Sequence, residues 1–87
     1  MFKYYSEPME LKDTYTLMIS DDYSDRLKAE YYQLKIRTDR LSRMLQKYEE
    51  GKLGFMPNSP IELLKQQLKV MIDYLEILRD RILIEIQ

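Results

Sequence analysis

Two long stretches of this 87-residue chain place apolar residues at alternating steps of four and three. In the first, Leu27, Tyr31, Leu34, Thr38, Leu41, Leu45 and Tyr48 trace the seam of a coiled coil with one polar interruption. In the second, Ile61, Leu64, Leu68, Met71, Leu75, Leu78 and Ile82 do the same. The spacing predicts helices over 20–50 and 60–87. The break between them, residues 51–59, holds both glycines. Ser20 is the expected cap of the first helix, and Gly51 stands where a left-handed residue ends it. Ser59, Pro60 and Glu62 read as a capping arrangement that opens the second.

These elements make a single all-α domain over 1–87: an antiparallel hairpin of two long helices, preceded by a short segment over 1–19. The second helix carries more apolar surface than its seam uses. Leu63, Val70, Tyr74, Ile77 and Ile84 form a parallel stripe, and Ile72, Leu83 and Ile86 extend apolar character further round. One partner helix does not cover all of that, and an apolar face this wide on a small protein marks an interface. A short chain buries only roughly 60–65 % of its unfolded surface. The expectation is therefore a helical homo-oligomer; in the competing arrangement residues 1–19 fold back over the stripe.

Composition narrows the chemistry. There is no Cys and no His, so thiolate metal sites, disulfides, and the commonest metal ligand and general base are missing. No enzyme, metal or cofactor is expected. No apolar run approaches the roughly 20 residues of a membrane span, and MFKYYSEPME lacks the apolar core of a secretory signal.

Charge is near neutral in total but unevenly placed. Residues 1–25 carry six acids against two bases, while residues 26–47 carry seven bases against two acids. Arg26, Glu30, Gln33, Arg37 and Arg40 are spaced to share one helical face. Three readings compete for it: a solvated face whose ion pairs contribute only about 0.2–0.5 kcal/mol each, a surface for long nucleic acid, and a site for a small phosphorylated ligand. Long nucleic acid calls for a continuous basic stripe and a clear positive excess. A nucleotide needs an aromatic platform and a few cationic donors, which Tyr23 and the region Arg26 to Arg37 supply. Tyr31 and Tyr48 occupy seam positions and read as packing residues; Tyr32 lies off the seam, exposed or at an interface.

The pattern Tyr23-x-x-Arg26-Leu27-x-x-Glu30-x-x-x-Leu34-x-x-Arg37-x-x-x-Leu41, followed by LLKQQLKVMIDYLEILRDRI over 63–82, resembles a family of small tailed-phage proteins. These are the anti-CBASS cyclic-nucleotide sponges, anti-CBASS protein two and its relatives. The resemblance covers about residues 23–84. It implies a non-catalytic homohexamer in the host cell cytoplasm that binds cyclic dinucleotides such as cyclic GMP-AMP in pockets shared by neighbouring protomers, with cyclic trinucleotides at separate sites. Sequestering the signal would keep a CBASS effector inactive. The resemblance places the base-stacking tyrosine on Tyr23 and the phosphate-contacting residue on Arg37, with Arg26 at the first basic position and Arg79 or Arg81 as candidates for a second ligand site. The alternative is a helical adaptor or inhibitor that binds a host protein through the apolar face of the second helix.

Overall fold

The computed structural model describes residues 9–86. Among them the chain forms a 3-10 turn over Leu11–Thr14, a one-turn helix α1 over Tyr15–Met18, and two long helices, α2 over Tyr23–Glu49 and α3 over Ile61–Glu85. The described chain is all-helical, and α2 and α3 pack against each other.

The first long helix begins later than Ser20. Asp22 is the cap: its side chain accepts from the Ser24 N–H at 2.9 Å. Ser20 instead accepts from the Asp22 N–H at 3.0 Å and donates to Asp25 at 2.8 Å. Asp22 prevails because its carboxylate meets the unpaired N–H groups and the positive end of the helix dipole together. At the other end Gly51 adopts φ +71°. Its N–H donates to the Tyr48 carbonyl at 3.0 Å, and that of Lys52 to the Lys47 carbonyl at 2.8 Å. This paired closure satisfies two carbonyls that the helix end leaves without partners.

The start of α3 is also one residue later than the capping pattern suggests. Pro60 is the cap and its side chain makes no capping bond; its carbonyl accepts from Leu63 and Leu64. Ser59 and Glu62 therefore form no capping box. Proline fixes the φ needed for entry and has no N–H to satisfy.

The seam holds the hairpin together. Leu27, Tyr31, Thr38 and Leu45 of α2 are buried, as are Leu78 and Ile82 of α3, both with no exposed surface. Thr38 is accommodated because its hydroxyl donates to the Leu34 carbonyl at 2.6 Å. The N-terminal segment does fold back, but onto α2. Leu17 joins the core cluster with Tyr32 and Ala29, and Met9 packs at its edge. The Gln33 amide ties the segment down by donating to Thr14 Oγ1 at 3.2 Å. Tyr32, expected to be exposed or at an interface, is buried in this contact, with its ring edge-on to Tyr31 at 5.5 Å. Ala29 and Tyr32, at i and i+3, give α2 a second apolar side beside its seam, in the cluster that Leu17 joins.

The stripe on α3 is left bare. Over the described residues neither α1 nor the 3-10 turn packs on α3; residues 3–5, which were also candidates to cover it, lie outside the described residues. Leu63, Val70, Tyr74, Ile77 and Ile84 remain 42–72 % exposed on one flank of the seam, and Ile72 and Leu83 are exposed on the other.

Candidate functional site

The open end of the hairpin gathers the start of α2 and the end of α3. There Arg81 donates to the Tyr23 hydroxyl at 2.6 Å and to Glu85 at 3.0 Å, while Tyr23 donates to the other oxygen of Glu85 at 2.9 Å. The hydrogen bond from Arg81, reinforced by that from Tyr23, holds the Glu85 carboxyl below its ordinary value. Tyr23 stays 49 % exposed, so its hydroxyl is tethered while much of the residue is free to meet a ligand.

The other candidate residues are dispersed. Arg26 donates to the Ser20 carbonyl at 2.7 Å, so it braces the turn before α2. Arg79 is exposed beside Asp80, at 3.6 Å. Arg37 is exposed and, among the described residues, has neither a hydrogen bond nor an ion pair. It stands at the rim of two grooves. One, of about 330 Å³, runs toward Met44, Phe55 and Gln67; the other, of about 360 Å³, lies against Thr14, Tyr15 and Gln33 of the N-terminal side.

The structure brings Tyr23 and Arg81 together and keeps Tyr23 and Arg37 apart. Fourteen residues of α-helix separate the latter pair by about 21 Å. On the face that Arg26, Glu30, Gln33, Arg37 and Arg40 were expected to share, three members have partners: Arg26 donates to the Ser20 carbonyl, the Gln33 amide donates to Thr14, and Glu30 accepts from the Tyr74 hydroxyl. That last bond, followed by partial burial, raises the Tyr74 pKa. The cluster of Tyr23 with Glu85 was not legible from spacing, since it joins residues 62 apart. Its signal was the antiparallel pairing itself, which sets the first turn of α2 beside the last turn of α3.

Among the described residues no group of side chains is placed to hold a metal ion, and no helix is long and apolar enough to cross a membrane. A helical hairpin that offers tethered aromatic and cationic side chains outside its core, next to a broad apolar flank, has the features of a binding module. A family model described as Sequestin matches residues 21–84, and the chain belongs to that family. Sequestins are the phage anti-CBASS cyclic-nucleotide sponges that the sequence resembles, and membership makes this a sequestering protein by family. No curated protein and no solved structure matches the chain. The family match covers α2, the connection and nearly all of α3, and leaves the segment that carries Leu17 outside.

Proposed function

We propose that this chain sequesters cyclic oligonucleotide second messengers without cleaving them, and so withholds the signal from a CBASS effector in the cytoplasm of the infected host. The observation that carries the reading is the family match over the whole hairpin. Geometry adds two supports. Tyr23 is an exposed aromatic ring held in place by its hydroxyl, suited to stacking on a base. Arg37 is a cation with no partner among the described residues, and its planar fork suits a phosphodiester.

The separation of about 21 Å between these two residues on one straight helix is too great for both to hold one compact cyclic dinucleotide within one chain. A pocket that uses both takes Tyr23 from one protomer and Arg37 from another. The bare flank of α3 gives the assembly its driving force. Fully covering an aliphatic or aromatic side chain is worth about 1.5–3 kcal/mol. Covering the seven half-exposed ones on α3 adds roughly 5–10 kcal/mol, comparable with the whole stability of an ordinary domain. The proposed assembly is a homohexamer. Cyclic trinucleotides would use a second site around Arg79 and Arg81, which adjoins Tyr23 through the Arg81 hydrogen bond and where a phosphate competes with Glu85 for the Arg81 guanidinium.

Calorimetric titration of Tyr23→Ala, Tyr23→Phe and Arg37→Ala with cyclic GMP-AMP tests the assignment, with sedimentation run on each variant. The account expects Tyr23→Ala and Arg37→Ala each to weaken binding at least tenfold with assembly intact. Tyr23→Phe keeps the ring and should retain most of the affinity. Loss of the oligomer in Tyr23→Ala or Arg37→Ala assigns that residue to structure instead.

A further inference from the structure

The second half of α2 carries a cationic stripe that the sponge reading leaves unused. Arg40, Arg43 and Lys47 recur about one turn apart on one face and span about 10 Å. None has a hydrogen bond or ion pair from its side chain among the described residues. The carboxylates nearest in sequence are committed elsewhere. Asp39 pairs with Lys35 at 3.2 Å, Glu49 with Lys65 at 2.9 Å, and Glu50 accepts from the Gln46 amide at 3.4 Å.

The connection between the long helices turns this stripe into a concave surface. Arg40, Arg43, Met44, Lys47, Leu53 and Phe55 line a groove of about 380 Å³, within the range of roughly 300–1,000 Å³ for small-molecule sites. Phe55 is 60 % exposed, so a large aromatic ring stands bare beside three unneutralised cations. Phe55 also lines the neighbouring groove, where Asn58 and Gln67 present amide donors and acceptors. Cations at one-turn intervals suit a run of phosphates, because each guanidinium donates two parallel hydrogen bonds to one anion. An aromatic face adjoining them suits a base, since every base presents a π-face.

We infer that the groove between α2 and the connection is a nucleotide site of its own: Arg40, Arg43 and Lys47 hold the phosphates and Phe55 stacks the base. It lies toward the opposite end of the hairpin from Tyr23, Arg81 and Glu85, and does not rest on the sponge reading. A nucleoside triphosphate is the simplest molecule that carries both halves of the recognition.

Calorimetric titration of the full chain with ATP and with tripolyphosphate, at fixed ionic strength, tests the inference. ATP should bind several-fold more tightly than tripolyphosphate. Arg43→Gln combined with Lys47→Gln should weaken ATP at least tenfold with helicity and sedimentation unchanged. Phe55→Leu should weaken ATP several-fold and leave tripolyphosphate unaffected. Absence of ATP binding, or ATP binding unaltered in the double variant, overturns the inference. Loss of assembly in the double variant would give the stripe to a contact between copies and overturn it equally. A chain that binds ATP here but no cyclic dinucleotide sinks only the sponge reading, and the converse sinks only this one.

Discussion

Glu85 accepts from Tyr23 and Arg81 at once, and this shared carboxylate gives the open end of the hairpin a pH dependence of defined sign. Its folded pKa is lowered from the ordinary 4.5. Its contribution is therefore fully present above that value and is lost as pH falls through the lower, folded one. Urea midpoints measured from pH 6 to pH 2.5 should fall less steeply for Glu85→Gln than for the unaltered chain, and identical profiles would show that the carboxylate adds nothing. The contact is solvent-exposed, so the effect is small and weakened by salt. Core positions behave differently. Leu78 has no exposed surface, and Leu78→Ala should cost about 2–5 kcal/mol by denaturant unfolding. Both residues were visible in the sequence, but only one role was legible. The seam spacing marked Leu78, whereas Glu85 acquires its role from a residue 62 positions away, a relation that depends on the register of the hairpin.

Helix ends and helix faces show the same division. The stop at Gly51 was legible because only glycine adopts φ +71° cheaply, and Gly51→Ala should cost about 1 kcal/mol from the backbone alone, since a Cβ there meets nothing within 4 Å. A thermal or urea midpoint indistinguishable from that of the unaltered chain would place the helix stop elsewhere. The starts were read one to two residues early, at Ser20 and Ser59, because several side chains near each end offer caps and their competition is settled by local geometry. On the faces, the stripe of α3 was plain from the spacing of Leu63, Val70, Tyr74, Ile77 and Ile84. The contact of α2 with the N-terminal segment was missed because Ala29 and Tyr32 stand outside the seam spacing, among Lys28, Glu30 and Lys35. The free flank of α3 carries its own prediction. Ile77 is 58 % exposed in one chain, so Ile77→Glu should leave helix content nearly unchanged at high protein concentration yet dissociate the proposed assembly on dilution. Unchanged sedimentation in this variant would place the interface elsewhere.

At the scale of the molecule, a rod-like hairpin 43 Å long and about 20 Å across leaves most of its surface, and much of its apolar surface, outside its own core. This shape suits assembly, and assembly in turn is what would bring the ends of different chains close enough to enclose a ligand. The hairpin was legible in the sequence because helical periodicity is a local signal; the pocket proposed to be shared between chains has no such signal, since no single chain would contain it. Enclosure matters to the function, because one stacked base and exposed phosphate contacts bind weakly in water. The most direct test is calorimetric titration of the purified protein with cyclic di- and trinucleotides, using linear dinucleotides as controls. The account predicts tight binding of a cyclic member, far weaker binding of its linear counterpart, and recovery of the ligand unchanged after denaturation. No heat from a well-folded assembly with any cyclic ligand, or recovery of a cleaved product, would contradict it.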